Sequence, residues 1–473
     1  MMLRKTKIVC TIGPASDNYD TLKELMLSGM NVARVNFSHG TWDEQGPKVN
    51  LIKQLREELN LPISLLLDTK GPEIRLGKFE EKVFIIEGNI FILRNEDIIG
   101  NEKEVSVSYK DLYKDVNVGT IIILDDGLIR LEVIGIEDKD IICRILNSGY
   151  ISSNKSVNVP DIKLNLPSLT EKDVNDIEGA IANDMDYIAA SFVRRKEDVL
   201  AIREILDRHN SKIKIISKIE NKEGIDNFDE ILEVSDGIMV ARGDLGVEIP
   251  FSQVPIVQKE IIKKTYSKGK SVITATQMME SMINEPNPTR AEVSDVANAI
   301  FDGTSAIMLS GETATGKYPV ECVKRMVQIA QDVEDSIDYW KRFKIKEIPQ
   351  DNFEFIINHA MITTALNIDV KGIFCYTKTS DTPRILSSMR PKCPIFVSTS
   401  NKKVFNQLSL SWGLNVSLTE NEKAPKQMIL DDINNRVEQG LLNKGDIVLI
   451  AGGKYIIGDE REVNKSIGGI YKI

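Results

Sequence analysis

Short apolar runs rich in β-branched residues recur along the chain, and most are followed by a stretch in which apolar residues lie three and four apart. The runs are typical of strands buried in a parallel sheet, and the spaced stretches are typical of amphipathic helices. Eight runs have this character, at 7–13, 31–38, 63–69, 187–193, 213–220, 237–244, 271–277 and 306–312. Eight strands alternating with helices predict an α/β protein with a closed (β/α)8 TIM barrel.

A long interruption separates the third predicted strand from the fourth. Residues 72–160 contain strand-like pieces divided by Gly, Asn and Asp turns, with little helical periodicity. This pattern predicts a small all-β domain, a β-barrel that is inserted as a lid into a loop of the TIM barrel. The TIM barrel itself would cover residues 1–71 and 161–342. The next helix is expected to begin with Thr170 as its N-cap and Asp173 three residues further on.

Strand and helix patterns alternate again in the last part of the chain. A polar stretch at 341–351 is typical of a linker, and apolar strand-like runs follow it at 372–377, 394–399, 414–418 and 446–453. Helical patterns separate these runs. The pattern predicts a third domain at 343–473 with a doubly wound α/β fold.

Composition narrows the class of protein. Hydrophobic residues make up 42% of the chain and charged residues 27%, and the formal net charge of −10 argues against general nucleic-acid or membrane-surface binding. The N-terminus lacks the apolar stretch of a secretory signal, and no segment reaches the ~18 apolar residues of a membrane span. With five scattered cysteines, these features predict a cytoplasmic protein with reduced thiols.

Polar residues stand at the C-terminal ends of most predicted barrel strands, which is where barrel enzymes place their active sites. Because the strand interiors are apolar, these side chains are expected to converge at one rim. They are Arg34, Asn36, Ser38, His39, Asp68, Thr69, Lys218, Glu220, Arg242, Asp244, Thr276, Gln277, Ser310 and Glu312.

Two carboxylates at this rim suit a hard divalent cation. Glu220 and Asp244 end adjacent predicted strands, so they come within reach of one Mg²⁺ or Mn²⁺ that keeps other positions for substrate. The alternative is that each pairs with a base, Lys218 for Glu220 and Arg242 for Asp244. With only three histidines in the chain, any metal must be held mainly by carboxylates.

Lys218 lies two residues before Glu220, so both side chains point to the same face of the strand. A lysine beside a metal-held phosphate neutralises charge on a phosphoryl group in transfer. A Schiff-base lysine and a purely structural salt bridge are the competing interpretations.

Other residues suit a bound anion or a bound monovalent cation. Gly243 opens a turn whose backbone N–H groups suit a carboxylate or phosphate, and Arg34 and Arg75 are good forks for such groups, although each also fits an ordinary salt bridge. A second, oxygen-rich cluster suits a monovalent cation or a set of mutual hydrogen bonds. Its members are Asn36, Ser38, Asp68 and Thr69.

Several segments together resemble the signature segments of pyruvate kinase, in that family's order. They are KIVCTIGPAS, ARVNFSHG, LLLDTKGPEIR, ISKIEN, MVARGDLGVEIP, TATQMMESM and PTRAEVSDVANAIFDGTSAIMLSGETATGKYP. They span the barrel, and the two further predicted domains fall where that family has them. The resemblance implies transfer of the phosphoryl group of phosphoenolpyruvate to ADP, which gives ATP and pyruvate in the last step of glycolysis.

The resemblance also implies roles for the rim residues. Glu220 and Asp244 would hold Mg²⁺ (or Mn²⁺), and Lys218 would stabilise the transferring group. The remaining substrate and catalytic positions are Arg34, Gly243, Asp244, Thr276, Arg75, Ser310 and Glu312, with the last two matching residues associated with protonation of enolpyruvate. His39, Arg75 and Lys155 match nucleotide-side positions.

The same resemblance implies a K⁺ requirement. Asn36, Ser38, Asp68 and Thr69 match the K⁺ ligands of the family. A carboxylate at the position of Glu73 goes with K⁺ dependence in this family, and a lysine goes with independence.

Two segments depart from the family pattern. Ser156 stands beside Lys155 where glycine is usual. The loop at 377–384 aligns with the sugar-phosphate effector loop and keeps Thr377, Thr379 and Thr382, but Ser380 replaces a common glycine and Asp381 adds a negative charge. We therefore expect activation by fructose 1,6-bisphosphate to be weak or absent, or a different sugar-phosphate or nucleotide effector to act.

The resemblance implies a homotetramer with a C-terminal regulatory domain, and no nucleic-acid or membrane partner. The alternative function is a Mg-dependent carbon–carbon lyase on a phosphoenolpyruvate/pyruvate-type barrel. The inserted domain argues against a lyase because that reaction needs neither ADP nor a lid.

Overall fold

The computed structural model describes residues 3–38, 40–344, 353–419, 424–451, 455–456, 462–463 and 468–473. The chain begins with three parallel, mostly buried strands joined by two helices. These elements are β1 (Lys7–Thr11), α1 (Tyr19–Ser28), β2 (Val32–Asn36), α2 (Trp42–Glu58) and β3 (Ser64–Asp68). α1 starts after Asn18, whose side chain accepts a hydrogen bond from the Thr21 N–H and so satisfies one of the unpaired donors of the first turn.

The inserted segment after β3 folds around a core of its own that includes Phe91, Ile122 and Val133. Its elements are β4 (Val83–Ile85), β5 (Ile90–Arg94), β6 (Glu104–Ser106), α3 (Leu112–Asp115), β7 (Ile121–Leu124), β8 (Ile129–Glu137), β9 (Asp140–Ile145), β10 (Gly149–Ile151) and β11 (Val157–Asn158). Six strands form one sheet in the order β11-β7-β8-β9-β5-β6, and β10 pairs with β4.

The described strands of the inserted domain do not form a continuously hydrogen-bonded barrel. The two edges of its six-stranded sheet are linked by isolated bridges from the entering chain, between Arg75 and Ser156 and between Leu76 and Val107. The domain contains one short helix, α3, so its described part is predominantly rather than wholly β.

The barrel then resumes and closes. Its second part comprises α4 (Glu171–Ala182), β12 (Tyr187–Ala190), α5 (Lys196–Arg208), β13 (Lys214–Ile219), α6 (Lys222–Asp226), α7 (Phe228–Val234), β14 (Gly237–Ala241), α8 (Arg242–Glu248), α9 (Val254–Ser267), β15 (Ser271–Ala275), α10 (Arg290–Asp302), β16 (Ala306–Leu309), α11 (Gly311–Ala314), α12 (Pro319–Ser336) and α13 (Tyr339–Lys344). The closed order is β1-β16-β15-β14-β13-β12-β3-β2, which confirms all eight predicted strands.

Two local predictions about helices have different outcomes. The capping box of α4 is confirmed, because the Thr170 hydroxyl accepts from the Asp173 N–H and the Asp173 carboxylate accepts from the Thr170 N–H. The predicted linker at 341–351 is wrong in its first four residues, which belong to α13; residues 345–351 lie outside the described part of the chain.

The C-terminal domain confirms the predicted α/β alternation. It comprises α14 (Phe353–Asn367), β17 (Val370–Tyr376), α15 (Asp381–Ser388), β18 (Ile395–Thr399), α16 (Lys402–Gln407), β19 (Leu414–Leu418), α17 (Pro425–Glu438), β20 (Ile447–Ala451), β21 (Tyr455–Ile456), β22 (Glu462–Val463) and β23 (Gly468–Lys472). The sheet order is β19-β18-β17-β20-β23. The antiparallel edge strand β23 was not predicted.

The C-terminal domain packs against one end of the barrel. The Tyr187 hydroxyl donates to the Gln407 carbonyl at 2.6 Å, and the Lys7 ammonium donates to the Leu414 carbonyl at 2.6 Å. Tyr187 and Lys7 begin their strands, so the C-terminal domain covers the N-terminal ends of the barrel strands. The opposite rim faces the inserted domain.

All five cysteines are buried and none forms a disulfide. Burial raises the pKa of the Cys143 thiol to about 12, so this sulfur stays protonated. Within the described residues, no helix has the length and apolar character needed to cross a membrane.

Candidate active site

Lys218 is a partly buried cation of the barrel rim with three polar partners. Its Nζ lies 3.1 Å from Asp68 Oδ1, 2.9 Å from Glu220 Oε1 and 2.8 Å from the Ser191 hydroxyl. Burial disfavours the ammonium, but the charges of Asp68 and Glu220 outweigh this and raise the pKa of Lys218. A Schiff-base lysine must lose its proton, so this environment favours a charge-neutralising role.

Arg34 is fixed beside Lys218 by the same carboxylate. Its Nε donates to Asp68 Oδ2 at 2.6 Å, and its Nη1 donates to the Thr11 hydroxyl at 2.8 Å. Burial opposes ionisation of Asp68, but the neighbouring Arg34 and Lys218 charges lower the pKa of its carboxyl. Asp68 therefore orients two cations toward one point of the rim.

Glu220, which is buried, and Asp244, which is half-buried, form an acidic pair near that point. Glu220 Oε2 accepts the Phe192 N–H at 2.5 Å, which fixes the carboxylate. Burial raises the pKa of Glu220; Lys218 lowers it and the negative charge of Asp244 raises it further. The predicted pairing of Glu220 with Lys218 is present, whereas Arg242 pairs with Asp295 at 2.7 Å and not with Asp244.

The turn that follows β15 lies against the start of α8. The Gly243 N–H donates to the Thr276 hydroxyl at 2.8 Å, and a Cβ at Gly243 would lie 3.6 Å from that hydroxyl oxygen. Thr276 has a φ of 67° and Gln277 a φ of 54°, both in the left-handed region. Arg242 holds this turn by donating to the Thr276 carbonyl at 2.6 Å.

Glu312 is a fixed carboxylate at the end of β16. Its two oxygens accept the Ser310 N–H at 2.7 Å and the Met279 N–H at 3.1 Å. Burial raises the pKa of Glu312. The carboxylate thus joins the β16 end to the loop that carries Thr276.

The four predicted K⁺ residues come together on β2, β3 and the residues that follow them. Asn36 faces Asp68 in the strand register, and Asn36 Oδ1 accepts the Ser38 N–H at 3.0 Å. The Ser38 hydroxyl lies 3.5 Å from the Thr69 carbonyl. His39, the predicted nucleotide-side residue beside them, lies outside the described residues.

A cleft of about 450 Å³ separates the rim from the inserted domain. Asp244, Phe192 and Asn221 line it from the barrel, and Arg75 and Asp126 line it from the inserted domain. Asn158 on the inserted domain donates to Glu248 on α8 at 2.8 Å, which links the two walls of the cleft. The inserted domain therefore covers the rim over Asp244.

The basic residues on the inserted side are paired internally. Arg75 makes a bidentate contact with Glu73, at 2.7 and 2.8 Å, and donates to the Asn154 carbonyl. Lys155 lies 2.8 Å from Asp125. Ligand phosphates would have to compete with these carboxylates for both cations.

The predicted effector loop is also internally bonded. The Thr377 hydroxyl donates to the Thr379 carbonyl, the Thr379 hydroxyl donates to Asp381 at 3.0 Å, and the Thr382 hydroxyl donates to Glu354 at 2.5 Å. Two of the three hydroxyls thus already bond to carboxylates.

Ser191 is a rim residue that the sequence analysis did not select. Its hydroxyl donates to the Thr69 carbonyl at 2.7 Å and lies 3.1 Å from Asp68 and 2.8 Å from Lys218. It follows β12 directly, so its place at the C-terminal end of a barrel strand was the signal that could have identified it.

The fold and the rim define a (β/α)8-barrel enzyme whose clustered cations and acidic pair suit a phosphorylated substrate. A model of the pyruvate kinase barrel domain matches residues 3–323, and a model of the pyruvate kinase alpha/beta domain matches residues 356–464. The chain belongs to the pyruvate kinase family and is a phosphotransferase.

The relatives cover nearly the whole chain. A pyruvate kinase from Clostridium acetobutylicum is 46% identical over 455 residues, which are 95% of this chain and 96% of the relative. One from Geobacillus stearothermophilus is 48% identical over 458 residues, which are 96% of this chain and 78% of the relative. A crystal structure of a pyruvate kinase from Cryptosporidium parvum superposes with a TM-score of 0.94 at 36% identity and covers 99% of this chain and 96% of that one. A carbon–carbon lyase is not favoured.

Proposed function

We propose that this protein transfers the phosphoryl group of phosphoenolpyruvate to ADP and so forms ATP and pyruvate, the last step of glycolysis. The observation that carries the proposal is the position of Lys218, held between Asp68 and Glu220 at the same rim as Asp244, which lines the cleft beneath the inserted domain. Phosphoryl transfer has little covalent chemistry for a protein to perform, so catalysis rests on position and charge.

Glu220 and Asp244 fit a divalent cation. Burial raises the pKa of both carboxyls, and the negative charge of Asp244 raises that of Glu220 further, so a bound cation would offset the cost of keeping them ionised. No group of three or more candidate ligands of the His, Cys, Asp or Glu type occurs in the described part of the chain, so substrate oxygens would complete the coordination. Bound Mg²⁺ (or Mn²⁺) supplies charge stabilisation to the phosphate and enolate oxygens.

The remaining rim residues bind and orient the substrates. Lys218 and Arg34 carry the positive charge that the transferring phosphoryl group needs. The N–H groups at Gly243 and Asp244, with the Thr276 hydroxyl, would receive the substrate carboxylate, which would replace the bond from the Gly243 N–H to that hydroxyl. Arg75 and Lys155 of the inserted domain, together with His39, bind the nucleotide phosphates, and the inserted domain excludes water.

Protonation of enolpyruvate belongs to the face formed by Thr276, Ser310 and Glu312. Glu312 is fixed by two backbone N–H groups, so it orients the β16 end rather than moving freely. The Thr276 hydroxyl, which contacts the Gly243 N–H, is the group of this set nearest the start of α8. Together these residues position the groups that deliver a proton to enolpyruvate, beside the site of the substrate carboxylate.

A K⁺ requirement follows from the oxygen cluster of Asn36, Ser38, Asp68 and Thr69. Its amide, hydroxyl and carbonyl oxygens suit a monovalent cation, and they converge on the β2–β3 side of the rim. Glu73 neutralises Arg75, so an additional cation would restore the positive charge that the nucleotide phosphates meet.

The assembly and compartment are proposed on separate grounds. Phe251 is 86% exposed and Ile256 is 62% exposed at the start of α9, so this face is suited to contact between barrels in a homotetramer. Buried, unpaired cysteines support a reducing cytoplasm. The proposal includes neither a nucleic-acid nor a membrane partner.

The test is pyruvate and ATP release from phosphoenolpyruvate and ADP with Mg²⁺, first in K⁺ and then in Na⁺ buffer. We expect equal amounts of both products, little turnover in Na⁺ and no pyruvate when ADP is omitted. Pyruvate formed without ADP, or no turnover by folded protein, would reject the proposal.

A further inference from the structure

A small cavity lies between the base of the barrel and the C-terminal domain, at the opposite end from the candidate active site. Its volume is about 10 Å³, which is room for one water-sized species. Three basic residues and five serines line it, together with Gly269: Lys270, Arg384, Arg390, Ser271, Ser305, Ser387, Ser388 and Ser411. Among the described residues, no carboxylate contributes to this lining.

Arg390 brings an uncompensated charge to the cavity. The residue is 2% exposed, and its guanidinium donates to the Gly303 carbonyl at 2.9 Å and the Ser305 hydroxyl at 3.0 Å. The guanidinium carbon lies 4.7 Å from the centre of the Trp412 ring. Within the described part of the chain no carboxylate pairs with it, and burial lowers the pKa of Arg390 to about 9.

Three buried polar atoms on the lining lack a hydrogen-bond partner among the described residues. They are Arg384 Nε, Arg390 Nε and the Ser411 hydroxyl oxygen. Ser411 is only 1% exposed, so neither it nor Arg390 reaches bulk solvent. Leaving a buried donor unpaired costs about 1–3 kcal/mol, and more for a charged one. All three atoms can act as hydrogen-bond donors.

We propose that this cavity is a binding site for a single chloride-type monatomic anion. The charge of Arg390 and Arg384 selects an anion over a neutral species, and the small volume excludes phosphate and larger oxyanions. The Ser411 hydroxyl completes the donor set, because its hydrogen rotates to meet an acceptor.

The position of the site gives the anion a structural role. Ser305 precedes β16 in the barrel, whereas Arg384, Ser387 and Ser388 belong to α15 of the C-terminal domain. α15 also carries Thr382 of the predicted effector loop near its first turn. A bound anion would therefore tie the barrel base to the helix that follows the effector loop.

The first test is thermal unfolding of the full chain at constant ionic strength while sodium gluconate is replaced by sodium chloride. Binding to the folded state alone raises the midpoint with a one-site saturation curve, by about 2 °C at saturation. Ser411→Ala and Arg384→Met should each lose most of this chloride-dependent rise.

The matched control is Ser387→Ala, which, like Ser411→Ala, removes one serine hydroxyl from the lining of this cavity. The Ser387 hydroxyl already donates to the Trp412 carbonyl at 2.7 Å, so this variant should be less stable in both salts and keep the full chloride response. An equal chloride response in the wild type and Ser411→Ala would overturn the proposal, because the effect would then be nonspecific.

Crystals grown in sodium bromide give an independent readout. We expect an anomalous peak between Arg384, Arg390 and Ser411 in the wild type and its loss in Ser411→Ala. Density for an ordered water without an anomalous signal would show that a neutral species fills the cavity and would refute the anion site.

Discussion

At the scale of single residues, Lys218 does two things that one substitution would disrupt together. It neutralises the buried carboxylates Asp68 and Glu220, and it places a positive charge at the rim beside Asp244. Removing a partner from a buried ion pair costs about 3–5 kcal/mol. Stability and catalysis at this position must therefore be measured separately.

Lys218→Met should lower kcat by about 10²–10³-fold with little change in KM for phosphoenolpyruvate, because charge on the transferring group matters most in the transition state. Steady-state kinetics on protein shown to be folded by circular dichroism measures this. Lys218→Arg keeps the charge and should retain the fold while losing much of the rate. Lys264→Met removes an exposed lysine of α9 that pairs with Asp229 of α7, and it should leave kcat unchanged. An unchanged kcat in Lys218→Met would contradict the assigned role.

Glu73 controls how much positive charge the cleft presents, because both of its oxygens bond to Arg75. Glu73→Lys should give substantial turnover in Na⁺ buffer and a smaller K⁺ activation than the roughly tenfold or greater effect we expect for the wild type. The comparison is kcat in matched KCl and NaCl, with Glu80→Lys on the exposed surface of the inserted domain as the control. Full wild-type activity in Na⁺ would refute the K⁺ requirement.

At the scale of elements, β1 carries a buried titratable group into the joint with the C-terminal domain. Lys7 is 5% exposed and donates to the Leu414 carbonyl. Burial, with a smaller contribution from the Arg4 charge, lowers the pKa of Lys7 to about 7. An unfolded lysine keeps its proton up to a pKa of about 10.4.

Between these two pKa values the unfolded chain binds one proton more than the folded chain, so stability rises with pH. The difference in free energy of unfolding between wild type and Lys7→Met should change by up to about 1.4 kcal/mol per pH unit from about pH 7 to about pH 10. Chemical unfolding at pH 6.5, 8 and 9.5, values chosen across roughly this window, measures the difference. A difference that stays constant with pH would show that Lys7 keeps its proton in the folded protein.

The barrel strands were predictable because each is a short apolar run buried on both faces, so that periodicity, burial and position agree. β23 was not predictable, because it is an antiparallel edge strand whose formation depends on pairing with β20 rather than on its own composition. The start of the linker was misassigned because Tyr339 and Phe343 of α13 bury their rings within an otherwise polar segment.

The candidate site was predictable in membership but not in pairing. Position at a strand end selected Lys218, Glu220 and Asp244, whereas Asp295, the partner of Arg242, lies on α10 and is distant in sequence. The Asp68 contacts to Arg34 and Lys218 likewise depend on how three strands meet at the rim. Such pairings follow from closure of the barrel, which no local pattern reports.

At the scale of the whole molecule, three domains divide the work. The C-terminal domain covers the base of the barrel, and the inserted domain covers the rim, with the Asn158–Glu248 hydrogen bond joining it to α8. Closure over the rim would exclude water from the phosphoryl group. A ligand bound to the C-terminal domain can affect the rim only through a change in the barrel, because the barrel lies between them.

Fructose 1,6-bisphosphate should change the half-saturating phosphoenolpyruvate concentration by less than about twofold, because Asp381 repels a phosphate at the effector loop and the loop hydroxyls are engaged. Activity titrations with this ligand measure the effect. Asp381→Asn should strengthen the response, whereas Asp369→Asn, at an exposed aspartate paired with Lys371, should not. Strong activation of the wild type would contradict the assigned loop chemistry.

The central claim is direct phosphoryl transfer at the rim, and the most direct measurement is a single turnover with ³²P-labelled phosphoenolpyruvate, ADP, Mg²⁺ and K⁺. We expect the label to appear in ATP in step with pyruvate, and Lys218→Met to slow this transfer while phosphoenolpyruvate still binds. Label released as inorganic phosphate, or retained on the protein, would contradict it.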